Sequence, residues 1–364
     1  MDGNKNDEYI GLGGVRGIAI VYVSLLYRWV WLCAWPFHFQ HGNEIALRLV
    51  WDGYLMVEVF FFLSGYFSYI KYSESIRIQQ ISFTEYILGK VIKFFPLLIL
   101  TAISATIVQI VGYFLIKDTG FSNVISVSGL LLSCLGLQSG YYNDGGIYSN
   151  PTEWYICILL LCYTLFYGIC RVKNTTIRTL TLLIWSLLGS AIMLAPRNWF
   201  LAYESNGRGY FAFGVGCLFA ILYHKRGTKN KTKRCVLSII VLMTIMIIYI
   251  FRPDYIGNKN IVICILLCPA LFTVSVECKW IKKLLSSRPL VALGKMSYSI
   301  YLWSFPIDIF IYILLVYVNR RDLLSNIMIW LISCIVILIV SCISKYYIEK
   351  RLQRLFRRVL NIFE

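Results

Sequence analysis

The sequence predicts an all-α protein, a polytopic transmembrane helix bundle of about ten spans with both termini in the cytoplasm. Three observations lead to that expectation. Of 364 residues, 59% are hydrophobic and only 15% are charged, where an ordinary soluble domain has about a quarter charged. Apolar runs lie near 14–35, 53–70, 95–116, 153–170, 179–195, 209–223, 235–251, 261–277, 291–318 and 326–344, most of them close to the roughly 20 residues that cross a bilayer. Lysine and arginine alternate in density between the connections, with 24 on one side and 8 on the other. The richer side is expected to face the cytoplasm of a plasma membrane.

The first run, Gly13 to Trp35, has Arg16 near one end and Arg28 near the other. A cation in hydrocarbon is costly, so it marks either a lined cavity or a side chain snorkelling to the headgroups. Arg16 and Tyr27 are eleven residues apart, about three helical turns, which predicts one shared face with about 16 Å between them. The polar start, Met1 to Glu8, does not read as a cleaved signal peptide. Later spans add Glu58, Glu153, Lys295 and Asp308, with Asp52 at a boundary. A direct Lys295–Asp308 pair is excluded, because thirteen residues of helix span about 19 Å. The Ser- and Gly-rich stretch Val124–Leu137 reads as a re-entrant or interfacial segment, with an eleventh span as the alternative.

The chain is expected to form one membrane domain over residues 1–364, with residues 345–364 as a basic cytoplasmic tail. That tail reads first as a stop-transfer flank, with a basic amphipathic helix on anionic headgroups as the alternative. The net charge of +17 is spread over short loops of one face, so it does not point to nucleic acid. The twelve cysteines lie mostly inside spans and read as small packing residues. No Cys/His spacing suggests a metal. His38 and His41 follow the first span, and His224 opens the most basic loop.

Six motifs follow one another along the chain: Val15-Arg16-Gly17-Ile18-Ala19 with Tyr27 eleven residues after the arginine, Met56 to Tyr66 around Glu58, Lys90-Val91-Ile92-Lys93-Phe94-Phe95-Pro96, Pro151-Thr152-Glu153-Trp154-Tyr155, Leu293 to Pro306, and Tyr347-Ile348-Glu349-Lys350. In this order they resemble the acyltransferase-3 family of integral-membrane acyltransferases, a group that includes bacterial enzymes O-acetylating cell-surface sugars. The first matches the family's opening, although the family's histidine is Tyr27 here. The second resembles its second-span pattern, with Glu58 for aspartate. The third resembles its basic element and the fourth its W-S-L-x-x-E-W/F segment. The fifth resembles its late motif, with Ser304 in place of histidine, and the sixth its close, with Arg351 for proline.

The resemblance implies acyl transfer from a cytoplasmic acyl-CoA, usually acetyl-CoA, to a sugar hydroxyl of the cell envelope. No permanently bound cofactor is implied. Arg16, Lys90 and Lys93 would meet the CoA phosphates. The two lost histidines leave the general base open, because a tyrosine of ordinary pKa is almost wholly protonated at neutral pH. His38 or His41 could replace it. Glu153 or Glu58 could act as base with Tyr27 as donor to the oxyanion, and Ser304 stands where the second histidine would. Otherwise the chain is a silent relative that binds or transports a lipid or glycan.

Overall fold

The computed structural model describes residues 9–27, 50–117, 126–141, 149–195, 199–225, 230–251, 258–318 and 326–361. Among these residues it is helical, with no strand. Among the described residues nine segments are long and apolar enough to cross a membrane. The sequence-expected runs fall in helices as far as they are described, the first of them only to Tyr27, and several helices continue well past the apolar stretch. The helix α1 (Ile10–Ile20) runs on through a π-turn, Val21–Tyr27. A 3₁₀ turn leads into α2 (Val57–Arg77), and α3 spans Phe83–Ile116.

At 34 residues, α3 is about 50 Å long, well beyond the roughly 30 Å of hydrocarbon. Its start is set by a capping box: Ser82 Oγ accepts from Glu85 N at 3.2 Å and Glu85 Oε2 from Ser82 N at 2.8 Å. Lys90 and Lys93 therefore sit on the extended first turns of a helix and not in a loop.

The stretch expected to be re-entrant or a further span supplies only α4 (Val127–Cys134). Eight residues reach about 12 Å, so α4 cannot span, and it packs on α3. Next come α5 (Trp154–Cys170), α6 (Thr175–Leu194) and α7 (Glu204–Lys225). The helix α7 is outside the nine apolar segments, yet it packs centrally between α2 and α6. Glycine permits this. A side chain at Gly65 would collide with the Phe213 carbonyl, and one at Gly216 with the Phe62 carbonyl.

The helix α8 (Lys231–Phe251) has no buried residue. It is tied to the end of α9 (Lys259–Glu277, with a π-turn at Ile263–Leu267) by a Cys235–Cys278 disulfide and an Arg234–Glu277 ion pair of 2.8 Å. This corrects the expectation that all cysteines merely pack; nine of the described ones are free. After the short α10 (Lys279–Leu285), α11 (Arg288–Tyr317) lies along α1. Their approach is again glycine against backbone, Gly17 on the Leu290 carbonyl and Gly294 on the Gly13 carbonyl.

The chain closes with α12 (Asn326–Ile343), a π-turn at Ser344–Ile348 and α13 (Glu349–Asn361). Residues 345–361 continue α12, and α13 packs against α3. On α11, Asp308 accepts from Ser333 Oγ at 2.5 Å, so its partner is not Lys295.

Candidate active site

The first turns of α3 and the ends of α2 and α12 meet α1, α5 and α11 around a cavity of about 660 Å³. Its lining includes six cations, Arg16, Lys71, Lys90, Lys93, Lys295 and Lys345. Among the described lining residues the one carboxylate is Glu349. It is already engaged, pairing with Lys345 Nζ at 2.9 Å and accepting from Ser299 Oγ. Uncompensated charge in a half-dry cavity is expensive, so the site must be wet, hold an anion or shed protons from its lysines.

Each cation is placed by a distinct local cause. Arg16 projects from the glycine face of α1, and its guanidinium donates to Ser297 Oγ on α11 at 3.0 Å. The stem of Lys90 crosses three tyrosine rings, with Nζ 4.2 Å from the Tyr163 centroid, 4.4 Å from Tyr72 and 5.0 Å from Tyr86. That cation–π cage fixes the ammonium without neutralising it. Lys93, one turn on, stands 4.8 Å from the Phe94 ring. The lining is otherwise rich in aromatic residues: Tyr155 and Tyr301 also border the cavity, their rings 6.0 Å apart.

A second polar cluster lies on the far side of Tyr155, beyond Phe61 and Trp154. Glu58 is fully buried and bound by Arg208, at 2.6 Å to Nε and 3.1 Å to Nη2. Arg208 is sandwiched by Tyr54 and Trp154, with centroids at 5.3 and 5.0 Å. Tyr27 packs here, 5.9 Å from Tyr54 and 6.4 Å from Trp51. Arg16 and Tyr27 therefore do not form one stripe facing one cavity. The π-turn over Val21–Tyr27 advances less per residue than an α-helix, so Tyr27 lags behind the face that carries Arg16.

Glu153 occupies a third environment. It ends a 3₁₀ turn whose first residues are capped by Asn150, which also donates to the Leu302 carbonyl at 3.0 Å. Gln109 and Gln138 hold the approach, donating to the Ser149 and Asn150 carbonyls at 3.1 and 3.0 Å. Inside this scaffold both Glu153 oxygens are fully buried and accept no hydrogen bond among the described residues. The nearby Thr101 and Ser133 hydroxyls are turned elsewhere, to the Leu97 and Leu98 carbonyls and to Gln138. Glu153 does not line the cation cavity, but Tyr155, two residues on, does. Ser304 is buried, and its hydroxyl donates back to the Tyr301 carbonyl at 2.8 Å.

The structure thus unites Arg16, Lys90 and Lys93 as the sequence suggests, and it separates them from Tyr27, Glu58, Glu153 and Ser304. His38, His41 and Arg28 lie outside the described residues. Sequence reasoning gave no role to Lys71 or Lys345, which count as loop charges when helix ends are drawn at the edge of an apolar run. It also put Arg208 in a connection. The available signal was local: Arg208 stands between two glycines just ahead of a run of aromatic and small residues.

Residues 9–346 match the acyltransferase domain of the acyltransferase-3 type. The chain is also similar to the O-acetyltransferase OatA of Staphylococcus aureus strain NCTC 8325, at 26% identity over 328 residues. That alignment covers 83% of this chain and 51% of the relative. OatA of S. aureus strain COL matches with the same identity and coverage. The chain therefore spans about half the length of the curated relatives it matches. No solved structure matches it.

Proposed function

Because the chain belongs to the acyltransferase-3 family, we propose that it moves an acyl group, acetyl in the simplest case, from acyl-CoA to a hydroxyl of a cell-envelope sugar. The observation behind this reading is the excess of cations around one cavity: six against a single, already paired carboxylate. The 3′-phosphate and diphosphate of CoA offer the complementary charge. Lysines meet phosphate as point charges and Arg16 as a planar donor. The bias of 24 basic residues to 8 supports a cavity that opens to the cytoplasm, the compartment that supplies acyl-CoA.

In the transfer step the acceptor hydroxyl gives its proton to a base while its oxygen bonds to the thioester carbonyl carbon. The tetrahedral intermediate then expels CoA thiolate, which takes up a proton. Of the candidate bases, Glu58 is held as half of a buried ion pair and is poorly suited to the task. Glu153 accepts no hydrogen bond among the described residues and stands two residues before the cavity-lining Tyr155, so we assign it the base. Tyr155 and Tyr301 border the cavity, and we assign their hydroxyls as donors to the developing oxyanion. Tyr27, in the other cluster, packs with the aromatic residues around Arg208.

The test is acetyl-CoA binding and turnover by the purified full-length protein. Lys90→Gln and Lys93→Gln should each weaken donor binding about tenfold, the worth of one charge-assisted contact. Unchanged binding in the double variant would remove the donor from this cavity. A second reading, a silent relative that holds the donor without turnover, is favoured by the absence of Glu153 from the cavity lining. It predicts normal acetyl-CoA affinity with neither hydrolysis nor transfer.

A further inference from the structure

The last helix, α13, divides its residues between two faces. At 3.6 residues per turn, Lys350, Arg351, Arg354, Arg357 and Arg358 fall within about 120° of arc. All five are exposed, and no described carboxylate pairs with them. The opposite side turns inward: Glu349 is buried against Ser299 and Lys345, and Gln353 Nε2 donates to the Lys93 carbonyl at 3.2 Å. Between the faces, Leu355 and Val359 are apolar and 54% and 53% exposed.

We propose that the basic face of α13 is a docking surface for anionic phospholipid headgroups. Three features single out this partner. The inward contacts at Glu349 and Gln353 fix the rotation of the helix, so the five cations must face away from the bundle. The exposed Leu355 and Val359 flank those cations on one edge, which suits a helix whose apolar margin dips among acyl chains while its guanidinium groups meet phosphates. The helix also continues without a break from α12, and the continuous segment Met328–Val359 that they form contains an apolar window long enough to cross the membrane. This tether holds α13 near a membrane surface. Glu349 and Gln353 line the cation cavity, so a lipid held by α13 steadies one wall of that cavity.

The detergent-solubilised full-length protein, titrated with phosphatidylglycerol or phosphatidylcholine and followed by native mass spectrometry, tests this. The expected result is preferential retention of phosphatidylglycerol. Arg351→Gln, Arg354→Gln and Arg358→Gln should each lower that affinity about fivefold, the typical worth of one basic residue at an anionic surface. The same three changes placed instead at Lys279, Lys282 and Lys283 on α10 should leave most of the preference intact. Equal retention of both lipids by the unchanged protein overturns the proposal. So does a phosphatidylglycerol preference that survives in the triple α13 variant or is lost equally in the α10 variant. None of these readouts needs acyl-CoA, so they stand apart from the acyl-transfer reading.

Discussion

Arg16 on α1 donates to Ser297 Oγ on α11 across 3.0 Å, joining residues 281 apart in sequence. The bond forms only because glycines bring the two helix backbones into contact beside it, and it aims a guanidinium into the cavity.

Replacing Arg16 with lysine keeps the charge but loses the planar fork and its bond to Ser297. The expected outcome is a folded protein whose acetyl-CoA affinity is down about tenfold, the worth of one charge-assisted bond. Isothermal titration measures it, and equal affinity would show that Arg16 does not touch the donor.

The helix contact itself is tested at Gly17. A methyl there meets the Leu290 carbonyl, so Gly17→Ala should destabilise the protein by about 1–3 kcal/mol. The unfolding midpoint in detergent reports this. Gly89, which has open space around its Cβ position, is the control site and should tolerate alanine.

Glu58 and Arg208 form a buried pair 150 residues apart. Removing one partner strands the other charge, so Glu58→Leu or Arg208→Met should cost about 3–5 kcal/mol. The double change Glu58→Leu with Arg208→Met should recover most of that loss. Denaturant titration of the four proteins would expose simple additivity, which would mean the two side chains are not coupled.

For Glu153 the stability and activity outcomes point in opposite directions. Glu153→Gln replaces an unsatisfied carboxyl with a neutral amide of the same shape, so the unfolding midpoint should stay level or rise. Transfer should fall about a hundredfold or more if the carboxylate is the base. Intact turnover with unchanged donor affinity would place the base elsewhere.

The Cys235–Cys278 bond closes a loop of 43 residues and holds a helix that buries nothing of its own. Cys235→Ser should lower stability by about 2–4 kcal/mol and make the unfolding midpoint insensitive to reductant. A midpoint in the unchanged protein that ignores reductant would show that the bond does not contribute.

Composition and hydropathy determined the class of this protein, because a bilayer imposes length and apolarity on every crossing segment. Where the apolar runs lie could be read from the chain, and so could the grouping of Arg16, Lys90 and Lys93, which recur in motifs of known order. The ends of the helices could not. Hydrocarbon stops selecting residues beyond its edge, while a capping box or a packed neighbour carries α2, α3 and α12 further, and Lys71 and Lys345 ride out with them. The partners of Glu58, Asp308 and Cys235 were equally illegible, since each lies outside the residue's own helix and is brought to it only by packing. Tertiary structure alone decided that Tyr27 leaves the face of Arg16: a π-turn alters the angular step between them, and no one-residue pattern records that change.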